Sequence, residues 1–333
     1  MTILVTGGAG FVGSSLINQL LDSGQSVVAL DSLSNYYSVD LKKSRLEILS
    51  DSENFKFFKG DVCDKKFLDK IFNKHKFTTI YHLAAQAGVR LPISESHKYV
   101  DSNIQGFLNL AEKSIQHNVD KFLYASSSSV YGDEAKIPFS EKELNLNPSS
   151  IYGVSKLANE KLASVLSKSS TMKFRGLRFF TVYGPWGRPD MAYFKLIACA
   201  LTGLEFKLYG SGSIKRDFTY IDDIVNSMVL LSNELDIRPK GYNDLVNIGG
   251  GKPISMSQVI EQVEKQTGVK IGVSKLPANK LDLQETCADF THLNSLINQK
   301  PSVSFEFGLE KTIEWASNYE NKVRIKKWAE SIK

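Results

Sequence analysis

Tyr152 and Lys156 are the residues of this sequence whose types and spacing best suit proton transfer. Four positions apart, a phenol and an ammonium lie on the same face of a helix. The pattern alone carries little weight, because most such pairs are simply exposed on a helix surface. Here the pair follows Ser127, which stands in the run SSSSVYG at positions 126–132. Together these residue types predict a site that removes a proton from a hydroxyl group.

The stretch TGGAGFVG contains the spacing Gly8-x-Gly10-x-x-Gly13, preceded by Gly7. Glycine at such positions allows a tight turn after a strand, close approach of the backbone to a pyrophosphate and close packing of the following helix. The amide groups at the start of that helix would then face the anion. An ordinary turn between a strand and a helix would also explain the motif, but an acid at the end of the second predicted strand, Asp31, favours a dinucleotide site.

Asp31 indicates which dinucleotide is bound. A carboxylate at this position accepts hydrogen bonds from the adenosine ribose hydroxyls and repels a 2′-phosphate. No basic residue occurs from Asp31 through Val39, so the sequence favours NAD over NADP. Asp61, after the third predicted strand, is a candidate acceptor for the adenine amino group. Its alternative role as a helix N-cap explains the residue about as well.

The nicotinamide cofactor makes the tyrosine a usable base. A free tyrosine has a pKa of ~10 and is a weak base at neutral pH. The Lys156 ammonium and the positive charge of an oxidised nicotinamide ring would each lower this pKa. We therefore expect Tyr152 to take a proton from a sugar hydroxyl while hydride leaves to the cofactor, with Ser127 hydrogen-bonded to the same oxygen.

Strands and helices must position these residues. The alternation of apolar runs and helical stretches in the first half of the chain predicts such elements. Strands are expected at 3–6, 26–30, 55–58, 79–83, 121–125 and 173–180, and helices at 11–23, 65–74, 103–116 and 152–167. Such alternation predicts an α/β fold with a doubly wound parallel sheet of Rossmann type. We expect residues 1–180 to form the NAD-binding domain with the catalytic residues. Residues 181–333 would form a smaller lobe that mainly binds substrate, with some chain returning to the first domain.

Composition excludes several other classes of protein. The net charge of +5 over 333 residues is mild, and no basic block is interleaved with aromatic residues, so no nucleic-acid partner is expected. No apolar run approaches the ~18 residues of a membrane span, and the opening MTILVTGG does not resemble a signal peptide. Three cysteines and five scattered histidines lack metal-ligand spacing, so we expect no metal and a cytoplasmic location.

The motifs TGGAGFVG, HLAAQAGVR, SSSSVYG, YGVSK and KRDFTYIDDI together resemble the extended short-chain dehydrogenase/reductase family, within it the nucleotide-sugar epimerases. The resemblance covers essentially the whole chain. Added to the motifs above, it implies an NAD site of Gly7, Gly10, Phe11, Val12, Gly13, Asp31, Ser32, Asn35, Asp61, Val62, Leu83, Ala84, Ala85, Gln86, Asn103, Ser126, Tyr152, Lys156, Phe179 and Val182. The substrate site would contain Arg90, Ser127, Ser128, Ser129, Tyr152, Thr181, Arg188, Arg216 and Asp282.

Within that list, the resemblance implies that Arg216 and Asp282 hold the phosphates and ribose of a UDP group. The family usually has a Gly-Asp pair where this chain has Leu281-Asp282, so the turn before Asp282 is expected to differ.

The run of serines distinguishes the reaction from those of related enzymes. Sugar-nucleotide dehydratases and decarboxylases of this superfamily have an acid just after the catalytic Ser or Thr, where this chain has Ser128 and Ser129. Hydroxyl groups bind a substrate but do not deliver a proton at neutral pH. Oxidation of the sugar should therefore be followed only by turning of the ketone and its reduction, which is epimerisation at carbon 4.

The stretch LRFFTVYGPWGRPDMA at 177–192 most resembles the UDP-glucuronate 4-epimerases. Arg188 in this stretch could grip a carboxylate with two hydrogen bonds, and Thr181 stands where hexose epimerases usually have Asn. The 4-keto uronate is a β-keto acid that loses carbon dioxide readily, so Arg188, Thr181, Ser128 and Ser129 could hold its carboxylate out of the decarboxylating geometry. Alternatively, Arg188 is a surface residue paired with Asp190.

Three interpretations follow. The favoured one is NAD-dependent 4-epimerisation of UDP-glucuronate to UDP-galacturonate. The alternatives are a 4-epimerase for UDP-glucose or UDP-N-acetylglucosamine and a non-catalytic NAD-binding scaffold. The family resemblance also implies a homodimer built from the helices at 103–116 and 152–167.

Overall fold

The computed structural model describes residues 2–278 and 283–330 of the chain. Its strands are β1 (Thr2–Thr6), β2 (Ser26–Asp31), β3 (Phe55–Lys59), β4 (Phe77–His82), β5 (Lys121–Ser127), β6 (Lys173–Phe179), β7 (Thr181–Tyr183), β8 (Phe206–Tyr209), β9 (Lys215–Tyr220), β10 (Asn243–Ile248), β11 (Pro253–Ser255) and β12 (Val273–Leu276). Seven of these strands form a parallel sheet in the order β10-β6-β5-β4-β1-β2-β3. The predicted doubly wound fold is confirmed, since the order reverses between β1 and β4 as in Rossmann sheets.

Helices cover the sheet and build the second half of the chain. They are α1 (Phe11–Asp22), α2 (Val39–Leu49), α3 (Lys65–Lys74), α4 (His97–Tyr99), α5 (Gly106–Gln116), α6 (Ile151–Lys168), α7 (Ala192–Thr202), α8 (Ile221–Glu234), α9 (Met256–Thr267), α10 (Thr291–Ile297), α11 (Phe305–Ser317) and α12 (Tyr319–Glu330). A π-helical stretch, Val100–Gln105, joins α4 to α5. Among the described residues, no helix has both the length and the apolar character needed to cross a membrane.

Both faces of the large sheet are buried. Adjacent residues of a strand point to opposite faces, and Leu4 and Val5 accordingly belong to two different apolar clusters. One cluster joins the sheet to α1, α7 and α8, and the other joins it to α3 and α5. Helices on both faces are what a parallel sheet requires.

Chain from the second half also enters the large sheet. β10 pairs with β6 as an edge strand, and α8 packs against α1. The remaining strands form two small sheets, with the orders β11-β9-β7 and β12-β8. The predicted boundary at residue 180 falls between β6 and β7, where the chain leaves the large sheet.

His82 ends β4 in a fully enclosed position. Its ring packs against Phe107 and Phe122, and its Nδ1 lies 2.7 Å from the Thr6 hydroxyl oxygen. Burial, with a smaller contribution from the charge of Lys156, lowers the pKa of His82 from 6.5 to about 3. The imidazole is therefore neutral in the folded protein at neutral pH.

This depressed pKa predicts a loss of stability in acid. The unfolded chain takes up the proton near pH 6.5, whereas the folded chain does so only near pH 3, so stability is complete above the first value and falls as the pH drops towards the second. At ~1.4 kcal/mol per pH unit, wild type should lose about 2 kcal/mol more than His82→Asn between pH ~6.5 and ~5. Urea unfolding at both pH values measures this difference. The exposed His97, changed to Asn, is the control, and an equal loss in all three proteins would contradict the prediction.

Candidate active site

A cavity of about 290 Å³ opens at the carboxyl ends of the central strands. The predicted cofactor and catalytic residues in its wall are Gly7, Gly10, Phe11, Val12, Gly13, Asp31, Ser32, Asp61, Val62, Leu83, Ala84, Ala85, Gln86, Ser126, Ser127, Tyr152, Lys156, Phe179 and Val182, and the wall also contains Arg188. The carboxyl ends of parallel strands meet at one edge of the sheet, which explains how residues so distant in sequence share one cavity. No group of three or more His, Cys, Asp or Glu side chains in the described part of the chain could hold a metal ion.

The glycine-rich turn between β1 and α1 forms one wall. Gly7 has a φ of +71°, and the Gly10 amide donates to its carbonyl oxygen at 2.9 Å. A Cβ on Gly13 would lie 2.2 Å from that same oxygen, so only glycine fits there. Among the described side chains none caps the start of α1. The first turn of α1 therefore presents backbone amides suited to a pyrophosphate.

Asp31 is buried at the end of β2 with its carboxylate held by backbone amides. Its Oδ2 accepts from the Ala9 amide at 3.1 Å and its Oδ1 from the Leu33 amide at 2.8 Å. Each carboxylate oxygen keeps a free lone pair after one such bond. The side chain, in the cavity wall, can thus still accept from two ribose hydroxyls.

Lys42 corrects one premise of the sequence analysis. No basic residue lies between Asp31 and Val39 in sequence, but the first turn of α2 brings Lys42 into the same part of the cavity wall. Its Nζ donates to the Ser34 carbonyl oxygen at 2.8 Å and to the Ser34 hydroxyl at 3.1 Å. Burial lowers the pKa of Lys42, while the charge of Asp31 opposes this effect. The ammonium is therefore occupied in ordering the loop after β2.

Asp61 lies in the cavity wall and does not cap a helix. Its Oδ1 accepts from the Cys63 amide at 2.9 Å, and the N-cap of α3 is Asp64, which accepts from the Phe67 amide. Of the two roles considered for Asp61, the N-cap is wrong.

Tyr152 stands in the first turn of α6, a helix that starts where the Ser150 hydroxyl accepts from the Gly153 amide at 3.1 Å. Burial raises the pKa of Tyr152, and the charge of Arg188 and a hydrogen bond with Ser127 act in the opposite direction. The net shift without a bound cofactor is upward, contrary to the expectation from Lys156. The cation that opposes the effect of burial is Arg188.

Lys156 lies one turn after the tyrosine in α6. Its Nζ donates to the Ala125 carbonyl oxygen at 2.9 Å and lies 5.8 Å from the centre of the Tyr152 ring. Burial lowers the pKa of Lys156 to about 8, so the ammonium is mostly protonated at neutral pH. Two of its three N–H groups remain for a ligand.

The four hydroxyl groups of the serine run differ in their hydrogen-bond partners and in their position relative to the cavity. The Ser127 hydroxyl donates to the Ser129 hydroxyl at 3.1 Å and accepts from the Ser129 amide at 3.1 Å. Ser128 and Ser129 begin a 3₁₀ turn outside the cavity wall. The Ser126 hydroxyl instead donates to the buried Glu160 at 2.6 Å. Ser127 is thus the serine of this run best placed to reach a substrate.

Arg188 lies in the cavity wall and is paired with Asp190. Its Nε donates to one Asp190 oxygen at 3.0 Å, and one Nη donates to the other oxygen. Burial disfavours the charge of Arg188, but the Asp190 carboxylate outweighs this and raises its pKa. A guanidinium has five N–H groups, so three remain after this fork. Both roles considered for Arg188 are therefore compatible with its position.

Seven predicted residues lie outside the cavity wall, namely Asn35, Arg90, Asn103, Ser128, Ser129, Thr181 and Arg216, and Asp282 lies outside the described residues. Asn103 accepts from the Gln86 amide at 2.7 Å and donates to the Ser155 hydroxyl at 2.9 Å, so it acts on the cavity through Gln86. Thr181 is in β7, paired with Phe218.

The two other arginines of this group contact protein groups. The Arg90 guanidinium lies 5.4 Å from the centre of the Tyr209 ring. Arg216 donates to the Leu283 carbonyl oxygen at 2.7 Å.

Sequence reasoning missed several residues of the wall, among them Ser34, Tyr36, Tyr37, Lys42 and Met191. Burial raises the pKa of Tyr36 to about 12, and its hydroxyl hydrogen-bonds Asp190, the partner of Arg188. The available signal was the pair of tyrosines directly after Asn35, in a loop that follows the acid of the nucleotide motif.

Comparison with known proteins agrees with this geometry. The model of the "NAD dependent epimerase/dehydratase family" matches residues 3–249. A UDP-glucuronate 4-epimerase of Thermodesulfobacterium geofontis is 40% identical over 94% of this chain and 95% of its own. The crystal structure of UDP-glucuronic acid 4-epimerase from Bacillus cereus, in complex with UDP-glucuronic acid and NAD, superposes with a TM-score of 0.87 at 34% identity, covering 95% of this chain and 98% of that one. UDP-glucose 4-epimerase of Thermotoga maritima with UDP-glucose gives 0.85 at 31% identity, with coverage of 95% and 98%.

Proposed function

This chain belongs to the NAD dependent epimerase/dehydratase family, and from that membership we propose that it interconverts UDP-glucuronate and UDP-galacturonate. It is an NAD-dependent UDP-sugar 4-epimerase, an enzyme rather than a scaffold. The observation that carries the choice of sugar is Arg188, a guanidinium in the wall of the cavity with three N–H groups left over. UDP-glucose epimerases are also structural neighbours, so a neutral hexose is the rival substrate.

The residues of the cavity fit an NAD molecule. The glycine turn would hold the pyrophosphate on the uncapped amides of α1, and Asp31 would hold the adenosine ribose. Lys156 has N–H groups left for the nicotinamide ribose. When bound, NAD would supply the acceptor for the hydride of carbon 4 and the donor for its return.

Tyr152 would take the proton of the 4-hydroxyl group, and Ser127 would hold the same oxygen. The two side chains are hydrogen-bonded to each other, so one sugar oxygen can contact both. Because burial raises the pKa of Tyr152, the base depends on positive charge close by. Arg188 provides it.

The absence of an acid after Ser127 supports a reaction that stops at epimerisation. Ser128 and Ser129 form a short turn, and the hydroxyl of Ser129 is bonded to Ser127. Neither side chain can deliver a proton to a leaving hydroxyl or to an enolate at neutral pH. These positions therefore favour turning and reduction of the ketone over elimination.

We propose in addition that the chain is a cytoplasmic homodimer whose 181–333 portion provides most of the UDP-sugar contacts. α6 exposes Ile151, Val154 and Val165, which are 45%, 51% and 64% accessible. Apolar residues on one exposed helix are what a helix-to-helix dimer interface would cover. The three free cysteines are consistent with a reducing compartment.

Purified protein incubated without added cofactor tests the function directly. UDP-glucuronate should yield UDP-galacturonate, because the hydride taken from the sugar returns from the same NAD molecule. UDP-glucose and UDP-N-acetylglucosamine should be converted far more slowly. Chromatographic separation of the products measures this, and preferential conversion of a neutral UDP-hexose would reject the uronate.

Replacement of Tyr152 by Phe should leave NAD binding intact and lower turnover at least ~10²-fold, as expected for loss of a general base. The hydroxyl of Tyr152 is removed without changing the ring contact with Tyr99. Turnover of UDP-glucuronate and the NAD content after denaturation provide the two measurements. Near-normal turnover would show that Tyr152 is not the general base.

Replacement of Arg188 by Ala should weaken the use of UDP-glucuronate by about 2–5 kcal/mol, as for a lost desolvated charge partner. Neutral UDP-hexoses should be affected far less. If Arg188 also orients the carboxylate, the variant should release carbon dioxide and UDP-pentose, because the keto acid then rotates freely. An Arg188→Ala enzyme that epimerises UDP-glucuronate normally would leave Arg188 as a structural partner of Asp190.

A further inference from the structure

The loop of residues 184–191 brings Arg188 into the cavity wall through an unusual backbone. Trp186 has a φ of +61°, a left-handed conformation that side-chain-bearing residues rarely adopt. Such a conformation persists only where surrounding contacts determine it. Two sets of contacts meet at Trp186, one on its carbonyl group and one on its ring.

Arg45 makes the first set of contacts. This α2 residue is 1% exposed, and all five of its N–H groups are used. Its Nε and one Nη donate to the Trp186 carbonyl oxygen at 3.0 and 2.6 Å, and the same Nη donates to the Gly187 carbonyl oxygen at 3.0 Å. The five hydrogen bonds of Arg45 go to carbonyl and hydroxyl oxygens and to no carboxylate of the described residues, so neutral oxygens stabilise its buried charge.

The remaining Nη of the same guanidinium contacts the glycine-rich turn between β1 and α1. One Nη donates to the Ala9 carbonyl oxygen, in the glycine-rich turn, at 3.1 Å and to the Tyr37 hydroxyl at 2.7 Å. The Ala9 amide in turn donates to Asp31. Arg45 thus connects the turn that would hold the pyrophosphate to the loop that carries Arg188.

The ring of Trp186 makes the second set of contacts. It lies 5.1 Å from the Trp315 ring of α11 and 6.3 Å from the Trp328 ring of α12, measured between ring centres. These are the three tryptophans of the whole chain. Their fluorescence therefore reports on this loop and on the two helices it packs against.

We propose that Arg45 is a positioning residue that fixes loop 184–191 so that Arg188 faces the substrate carboxylate. Without the two hydrogen bonds from Arg45 to its carbonyl oxygen, Trp186 would not keep its left-handed conformation. Arg188, two residues later, would then turn away from the cavity. The inference rests on the proposed carboxylate-binding role of Arg188. It adds that the carboxylate site is built on the cofactor-binding turn through one side chain.

The first test needs no substrate. In Arg45→Met holoenzyme, tryptophan emission should shift to the red and quenching by acrylamide should increase, because the Trp186 ring loses its fixed position. Arg175→Met is the matched control, since it removes another completely buried guanidinium that contacts Asp244 and Glu234 instead of the loop. Unchanged emission and quenching in Arg45→Met, or equal changes in both variants, would overturn the proposal.

The second test separates positioning from general destabilisation. Arg45→Met should lower kcat/KM for UDP-glucuronate about 10²-fold, the scale of a misplaced binding group. Because it acts through Arg188, the double variant with Arg188→Ala should be no worse than Arg188→Ala alone. Losses that multiply would show that Arg45 acts independently of Arg188 and would also overturn the proposal.

A conservative variant covers the case in which Arg45→Met does not fold. Arg45→Lys keeps the buried charge and three N–H donors, so it should retain the fold and show intermediate fluorescence and kcat/KM values. Wild-type fluorescence and kcat/KM values in Arg45→Lys would show that the two hydrogen bonds from the guanidinium to the Trp186 carbonyl oxygen are not needed. If wild type converts only a neutral UDP-hexose, the proposed function fails, while the fluorescence comparison still decides whether Arg45 holds the loop.

Discussion

A guanidinium can be buried only if its N–H groups find acceptors, and this requirement governs much of the structure. Arg45, Arg175 and Arg178 are among the largest completely buried side chains of the chain. Arg175 joins β6 to β10 and α8 through Asp244 and Glu234, and Arg178 joins β6 to α6 through Glu160. Arg45 and Arg178 therefore tie together segments that border the cavity, whereas the partners of Arg175 lie away from it.

These three arginines differ from Arg188 in how their donors are used. All five N–H groups of Arg45 are taken. Arg178 donates from Nε and one Nη to Glu160, and its guanidinium lies 4.7 Å from the centre of the Tyr131 ring, while its other Nη has no hydrogen-bond partner among the described residues. Arg188 is paired on one side only. A half-buried cation with free donors in a cavity wall is suited to an anionic ligand, whereas a completely buried one held by protein groups is suited to holding the fold.

The sequence predicted the large sheet and the catalytic helix because their signals are local. Apolar runs identified the strands, and the glycine turn and the spacing of Tyr152 and Lys156 identified the cavity. The helix α2 was missed, because Lys42, Ser44 and Arg45 are buried between Leu41 and Leu49 and interrupt the apolar pattern. Apolar periodicity does not identify a helix whose inner face is mostly polar. Arg45, the residue that connects the glycine-rich turn to loop 184–191, lies on that helix.

The pairing of Ser126 with Glu160 and of Asn103 with Gln86 shows a second limit of sequence reasoning. Both residues were expected beside the cofactor, and their side chains form hydrogen bonds with protein groups, Ser126 from within the cavity wall and Asn103 from outside it. A motif tells which residues are needed but not whether each one touches the ligand or holds a neighbour. That distinction depends on long-range contacts, here across 34 and 17 positions.

Asp190 gives the proposed reaction a property that a lone arginine would lack. During epimerisation the 4-keto sugar has to rotate in the site, so a substrate carboxylate bound to Arg188 must dissociate from it and bind again. A half-buried guanidinium without a partner would be costly at that moment. Because Asp190 keeps its fork on Arg188, and Tyr36 in turn hydrogen-bonds Asp190, the cation stays paired while the sugar rotates. The same ion pair with Asp190 weakens the interaction between Arg188 and the substrate carboxylate. The sugar is therefore bound less tightly but can rotate more easily in the site.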